Sequence, residues 1–281
     1  MARHPIPRES RPGLVSVVIP CFNQGRYLAA AVESVLSQSH ARIEIVVMDD
    51  GSSDATASIA RGFGDRIRFL QQQHRGASAA RNAALAASTG EYVQYLDADD
   101  RIEPDKILRQ VEFLERNPET GVVYSDVRYF TDADPEQRSL GPYVLAEGLA
   151  WTPMLWKAPG TMLEKLIQRN LLAINSALMR REAVASAGPW NEDLVAVEDW
   201  EYWIRCAAAG VRFSYQEWPG ALALVRLHPG STSTDLPRVE LGIEQMRAQL
   251  LRNLDDPKIR ATLRGQLWRG RLRRALRMFT R

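Results

Sequence analysis

Between Leu14 and Asp100 the chain alternates short apolar runs with stretches of helical periodicity, and this alternation constrains the fold more than any other feature. Leu14 to Pro20 (LVSVVIP) reads as a buried strand. Tyr27 to Ser37 follows with Leu28, Ala31, Val32 and Val35 at helical spacing. A second apolar strand runs from Ile43 to Met48, with another helix starting near Asp54. Strand Ile67 to Gln71, helix Ala77 to Ala87 stopped by Gly90, and strand Tyr92 to Leu96 repeat the pattern. Strands that alternate with helices predict a sheet with parallel strands and helices on both faces. Ligands of such sheets bind outside the carboxyl ends of the strands.

Two of these strand ends are acidic. In YVQYLDADD the apolar run Tyr92, Val93, Tyr95, Leu96 breaks into Asp97, Ala98, Asp99 and Asp100. On extended backbone Asp97 and Asp99 point to the same side, and two adjacent carboxylates repel unless a proton, a cation or a basic side chain lies between them. Hard oxygen ligands suit Mg²⁺ or Mn²⁺. The plainer alternative is a capping role, because Asp100 and Asp105 flank a helix start with Pro104 near its first turn. Strand Ile43 to Met48 ends in Asp49-Asp50-Gly51, either a simple turn or an acid placed to accept hydrogen bonds from a base or ribose. The loop after the first strand, Cys21 to Gly25, has neither the G-x-G-x-x-G nor the G-x-x-x-x-G-K-[ST] pattern, which excludes a dinucleotide fingerprint and a P-loop.

Downstream, helix Pro104 to Arg116 and strand Val122 to Val127 precede an irregular stretch, Asp132 to Pro159, that contains Trp151 and Trp156. Ile174 to Met179 reads as a strand, and Arg181 to Ala187 as a short helix ended by Gly188-Pro189. In VEDWEYWIR, Trp200, Trp203, Ile204 and Ala207 share one helical face, which is a packing face, while Glu198 and Asp199 sit at the N-terminal end, where carboxylates suit the helix dipole. Strands Val211 to Tyr215 and Ala221 to Leu227 lead to His228, and Pro237 to Arg281 reads as two helices separated by Pro257.

The whole chain carries a net charge of +2, but Lys258 to Arg281 holds nine Lys or Arg and no acid, which favours anionic surfaces. Trp268, Leu272, Ala275, Leu276 and Phe279 form an apolar stripe bordered by Arg. That pattern fits a helix lying on an anionic membrane surface, or equally one packed back on the main domain. Its aromatics are too few for nucleic-acid stacking. Cys21 and Cys206 permit one disulfide, but a reduced, cytosolic protein is the simpler expectation. The polar start, MARHPIPRESRPG, has no signal-peptide core, and no run approaches a membrane span.

SVVIPCFNQGRYLAAAVESVLSQ, IVVMDDGSSDAT, RGASAARNAAL, YVQYLDADD and VEDWEYWIRCAAAG, in this order, resemble the pattern of glycosyltransferase family 2 on the GT-A fold, over roughly Leu14 to Ser233. The resemblance implies an α/β, Rossmann-like mixed central sheet with helices on both faces, here with a C-terminal helical extension. It divides the chain into a flexible lead-in (1–13), a transferase domain (14–236, with a nucleotide-binding half 14–100 and an acceptor half 101–236) and a basic helical extension (237–281). It also implies an inverting transfer of sugar from a nucleotide diphosphate donor, a UDP-sugar first, with Mn²⁺ or Mg²⁺.

Carried over residue by residue, Pro20 and Phe22 would line the nucleoside pocket, with Phe22 on the base. Asp50 would bind base or ribose, Arg81 would face the diphosphate, and Asp97 would reach the ribose. Asp99 would ligate the metal, with His228 near it, and Asp199 would be the general base. The segment from Ala187 to Glu192 departs from the family's Gly-Gly-Phe-Asp-Glu run, so the acceptor side is expected to be reshaped. Asp100 and Arg101 after the D-x-D leave the metal ligand set open. The acceptor would be a sugar or a lipid-linked molecule, in surface polysaccharide or glycolipid synthesis at the inner membrane face, with no nucleic acid involved. A non-catalytic sugar-nucleotide-binding module of the same fold is the alternative.

Overall fold

The computed structural model describes residues 10–139, 159–230 and 235–279, with side chains as far as residue 270. Its first half is built as the periodicity predicts. Strand β1 (Arg11–Cys21), helix α1 (Gly25–Leu36), β2 (Ile43–Asp49), α2 (Thr56–Gly62), β3 (Arg68–Gln71), α3 (Ala77–Ala86) and β4 (Gly90–Tyr95) follow one another. β1 lies between β2 and β4, and β2 also pairs β3, all parallel. The first strand begins at Arg11, inside the stretch expected to be a lead-in, because the Arg11 amide donates to Thr89 O and the Gly13 amide to Glu91 Oε2.

The two faces of this sheet carry separate cores. Val15, Val17 and Ile19 of β1 pack with Leu28, Val32 and Val35 of α1, whereas Val18 faces Ala80, Ala84 and Leu85 of α3. The alternation is the period-2 pleat read directly off the sequence. In the order β3-β2-β1-β4 the chain leaves β1 toward β2 and leaves β4 toward the opposite edge, so the loops after β1 and β4 part at their carboxyl ends. That divergence opens the crevice where such sheets bind ligands.

The second half makes the sheet mixed. After β5 (Arg101–Ile102), α4 (Lys106–Arg116), β6 (Val122–Tyr124) and β7 (Val127–Phe130), α5 (Met162–Gln168) leads to a 3₁₀ turn, Ile174–Ser176, and β8 (Ala177–Arg180). β8 is antiparallel to both β4 and β6. Helices α6 (Arg181–Ala187) and α7 (Glu198–Ala208), then β9 (Phe213–Tyr215) and β10 (Ala223–Arg226), follow. Among the described residues the main sheet has the order β3-β2-β1-β4-β8-β6-β9, and β5-β10-β7 form a small second sheet. The expected strand Ile174 to Met179 is thus half 3₁₀ turn, which aims Asn175 at the loop after β4. Trp151 and Trp156 lie outside the described residues.

The basic extension forms α8 (Leu236–Asn253) and α9 (Pro257–Phe279). Asp235 caps α8 by accepting from the Arg238 amide, with Pro237 in the first turn. Ile259 and Leu263 of α9 are buried, and Gln266 Nε2 donates to Ile167 O, so the first half of α9 packs on the domain. Trp268 is 66% exposed. The side chains of Leu272, Ala275, Leu276 and Phe279 lie outside the description. No described helix is long and apolar enough to cross a membrane. Cys21 and Cys206 are both buried and free.

Candidate active site

The loop after β1 turns sharply at Asn23, which has φ 52° and whose Oδ1 accepts from the Ser53 amide at 2.9 Å. Gly25 begins α1 under the loop that follows β2. A Cβ there would sit 2.7 Å from the Thr56 amide nitrogen, a backbone atom that cannot move aside. Pro20 lies beyond the last β1–β4 pair, Val18 with Tyr95, so its missing N–H breaks no bond to β4. Phe22 is 41% exposed and stacks on His74, with ring centroids 4.0 Å apart.

Asp50 is buried. Its carboxylate accepts from the Arg75 amide at 2.9 Å, the Gly76 amide at 2.7 Å and Gln72 Nε2 at 2.7 Å, and it pairs with His74 Nδ1 at 2.8 Å. It therefore shapes the β3–α3 loop, and that loop brings His74 onto Phe22. The neighbouring Asp49 is turned inward to the Ser52 amide and Gln71.

Arg81, 4% exposed on α3, spans two halves of the chain. Nη2 donates to Asp97 Oδ1 and Nη1 to Glu198 Oε1, each at 2.9 Å. Burial alone would lower the guanidinium pKa, but Asp97 and Glu198 outweigh it and hold the group above its ordinary value. Burial raises the Asp97 carboxyl; Arg81 pulls it down, Asp99 pushes it up, and the net direction is up. Burial works on Glu198 in the same upward sense, but Arg81 prevails and its carboxyl lies below the ordinary value.

Asp99 Oδ2 meets His228 Nε2 at 2.9 Å, while the Gly230 amide donates to His228 Nδ1 at 3.2 Å. This network assigns the ring proton to Nε2, given to Asp99. Arg226, missed in the sequence, locks the same corner. Its amide donates to Asp100 Oδ1 at 2.7 Å, its Nε to Asp99 O at 2.8 Å and its Nη1 to Asp132 Oδ1. Its guanidinium lies between the rings of Tyr27 and Phe130, 4.5 Å from each centroid. Asp100 is no helix cap: its Oδ2 accepts from Asn175 Nδ2, and burial, then Asp99 and Asp97, raise its pKa well above the ordinary range. Asp105 likewise turns away from its helix to Ser39 Oγ at 2.7 Å.

Among the described residues no three His, Cys, Asp or Glu side chains surround a common point that could enclose an ion. Asp97 Oδ2 and Asp99 Oδ1 are nevertheless without protein partners there, on side chains 33% and 20% exposed. A cation that prefers few protein carboxylates and completes its shell with phosphate oxygens and water fits that donor set. His228 Nε2 can join it only in the tautomer that carries the ring proton on Nδ1.

Asp199 lies in the first turn of α7, next to Glu198. Its Oδ1 accepts from the Trp200 amide at 2.7 Å and its Oδ2 from Asn170 Nδ2 at 3.0 Å. Burial, then the Glu198 charge, pushes its carboxyl up to about 6 against these two donors. The residue before α7, Val197, has φ 58°, left-handed backbone that a β-branched residue rarely adopts. Such strain is common where a site fixes the chain.

The departure at Ala187 to Glu192 has a packing explanation. Trp190 is buried and stacks on Tyr202 at 4.0 Å and 7°, with Tyr95 edge-on at 4.9 Å. Asn82 of α3 donates to Trp190 O and Glu192 Oε1 and accepts from the Trp190 amide. The segment is fastened to α3, and its large ring faces the core rather than the crevice.

Four residues of this constellation carried no role in the sequence: Asn170, Asn175, Arg226 and His74. Asn175 had the clearest signal, a polar residue inside the apolar run LLAINSALM. Nothing in the residues around Arg226 and His74 marks either one.

A half-parallel sheet with acids at its strand ends and a buried Arg on the helix beside them, completed by an antiparallel strand and an acid-headed helix, is the GT-A architecture of nucleotide-sugar transferases. The chain belongs to glycosyl transferase family 2, whose model matches residues 16–186. It is 39% identical over 141 residues to an uncharacterized glycosyltransferase of Nostoc sp., covering 48% of this chain and 44% of that one. An uncharacterized glycosyltransferase of Rickettsia typhi is 29% identical over 231 residues, covering 81% of this chain and 68% of that one. The chain thus spans less than half the length of the Nostoc relative, and two thirds of the Rickettsia typhi one. In structure it is similar to S. aureus TarS 1–349 in complex with UDP-GlcNAc, with TM-score 0.68, 18% identity and coverage of 92% of this chain and 72% of that one. It is also similar to mannosyltransferase PcManGT from Pyrobaculum calidifontis in complex with GDP-Man and Mn²⁺, with TM-score 0.66, 19% identity and coverage of 90% and 69%. At these identities the structural likeness carries the fold alone.

Proposed function

We propose that this chain is an inverting, metal-dependent glycosyltransferase that moves a sugar from a nucleotide diphosphate donor to an acceptor hydroxyl by direct displacement. The observation that carries this reading is the Arg81 bridge. One buried guanidinium joins Asp97, on the donor side, to Glu198, the residue beside Asp199. Donor and acceptor chemistry are thereby held together across the crevice.

Phe22, beside Pro20, offers a ring for the base, and Asp50 orders the loop over it. Arg81 is assigned to offset the negative charge gathering on the departing diphosphate, acting from behind Asp97. Asp99, with His228, is the residue to hold a divalent cation, Mn²⁺ or Mg²⁺, which when bound neutralises the phosphate oxygens. Asp199, ionised above about pH 6, takes the proton of the attacking acceptor hydroxyl as the anomeric carbon gains positive character. One base suffices for a single displacement, and the product is inverted.

The donor is a UDP-sugar, with a GDP-sugar second, since the similar structures bind UDP-GlcNAc and GDP-Man. The acceptor is a sugar or a lipid-linked molecule in surface polysaccharide or glycolipid synthesis. The chain works in the cytoplasm, with α9 resting on the inner face of an anionic membrane. The deciding experiment is calorimetric binding of UDP, GDP, TDP and CDP with Mn²⁺, with EDTA and with Asp99→Ala. Metal-dependent binding of one nucleotide, lost in the variant, supports the reading. Binding of none overturns the donor-site assignment.

A further inference from the structure

The turn from Asp97 to Asp100 is short, closed by the Asp100 amide donating to Asp97 O at 3.1 Å, and loaded with carboxylates. It needs donors to hold it. Asn175 supplies one and accepts another: Nδ2 donates to Asp100 Oδ2, and Oδ1 accepts from the Asp97 amide at 3.2 Å. One side chain, 1% exposed, therefore grips both ends of the turn that carries Asp99.

Asn175 is itself held from behind. Its carbonyl accepts from Gln94 Nε2 at 3.0 Å, and the next carbonyl, Ser176 O, accepts from Gln110 Nε2 at 2.8 Å. Both glutamine carbonyls accept from Lys106 Nζ, at 2.6 and 2.7 Å. Gln94, Lys106 and Gln110 are fully buried, and Lys106 has no carboxylate partner among the described residues. There it saturates the two amides that hold the 3₁₀ turn, and a fully satisfied buried network of this kind rigidifies what it holds.

The residue type is dictated by what it meets. An amide offers a donor to Asp100 and an acceptor to the Asp97 amide at once. An aspartate would add another carboxylate, and an apolar residue would leave two buried polar groups without partners.

We infer that Asn175 is a positioning residue for the metal-binding turn: the 3₁₀ turn that leads into β8 locks Asp97 and Asp100 through this amide so that Asp99 is presented to a cation-bound diphosphate. The inference rests on the assignment of Asp99 to the metal, and the test separates the two. Calorimetric affinities of UDP and GDP are measured with Mn²⁺ and with EDTA for the full chain, Asn175→Ala, Asn175→Asp and Asp99→Ala, alongside thermal unfolding. Asn175→Ala loses about tenfold to a hundredfold of the affinity gained from Mn²⁺, the usual range for a group that orients a metal ligand, while affinity in EDTA stays within about twofold of the parent. Asn175→Asp loses more, because it crowds the turn with charge. If the alanine variant does not fold, Asn175→Ser is expected to show the same selective loss. The inference is overturned if the variant keeps the Mn²⁺ gain, or if affinity falls equally with and without metal. If Asp99→Ala also keeps the gain, the metal assignment itself has failed; if Asp99→Ala loses it and Asn175→Ala does not, only the role of Asn175 has.

Discussion

Arg81 and Asp97 face each other at 2.9 Å while the other arm of the same guanidinium holds Glu198, a residue far away in the chain. Removing the cation leaves two carboxylates around an empty slot. Because Asp97 and Glu198 still reach solvent, Arg81→Met should destabilise the fold by about 2–3 kcal/mol, below the range for breaking a fully buried pair. Arg81→Lys keeps the charge but cannot span both acids. It should lose less stability in urea unfolding, yet still weaken nucleotide binding. Equal stability of Arg81→Met and the parent would remove the bridge from the account.

Asp199 offers a pH test. A base works only when ionised, so with its carboxyl raised to about 6 the rate should climb with pH through about 6 and level off above it. Stability should move the other way. A carboxyl raised on folding binds its proton more tightly in the folded chain, so its contribution is present at low pH and is lost as pH rises through about 6. Asn170→Ala removes a donor from the ionised form and should shift the rate profile to higher pH. Asp199→Asn should lower turnover by about 10²–10⁴-fold and leave nucleotide binding intact. A flat profile between pH 5 and 8 would end Asp199's candidacy.

The Asp99–His228 contact predicts unequal partners. His228 Nε2 is committed to a proton shared with Asp99, and its Nδ1 to the Gly230 amide. His228→Ala should therefore raise the Mn²⁺ concentration needed for half-maximal turnover, whereas Asp99→Asn should abolish the metal response. A metal titration of both variants checks the order, and the reverse order would make His228 the principal ligand.

How much of this was legible beforehand follows the range of the forces involved. The β1-to-β4 half could be read because pleat and helix periods are local: the side chains of Val15, Val17 and Ile19 announce their face within one strand. The DADD turn and the VEDW helix start could be read as strand and helix ends. What could not be read is pairing across the chain. Nothing in the neighbourhood of Arg81 names Glu198 as its partner, and nothing near Asn175 says that the turn before β8 bends toward Asp100 rather than continuing the strand. The alternative of Asp100 and Asp105 as caps fails for the same reason. A carboxylate near a helix start caps it only if no better donor arrives from elsewhere, and Asn175, Arg226 and Ser39 did.

Trp190 tests whether the altered Ala187 to Glu192 segment serves packing. A ring buried against Tyr202 and Tyr95 should cost about 3–5 kcal/mol when cut to alanine. Trp190→Phe, restoring the family's usual ring, should cost about 1–2 kcal/mol and leave acceptor preference unchanged. A shift in acceptor preference with little loss in the melting temperature would place the indole in the crevice instead.

The extension divides along its length. Ile259, Leu263 and Gln266 bind the first half of α9 to the domain, so a truncation at Pro257 would expose core and report on folding rather than on membranes. Trp268 points outward, just before the most Arg-rich stretch, which is where an interfacial helix would present an aromatic anchor. The full chain should therefore sediment with phosphatidylglycerol-containing vesicles and not with neutral ones, and less so as salt is raised. Replacing Arg271, Arg273 and Arg274 by Gln should weaken binding by ~1 kcal/mol per charge, and Trp268→Ala should weaken it further without changing the melting temperature. Binding that ignores vesicle charge, or that survives both sets of substitutions, would leave α9 as a strut of the domain alone.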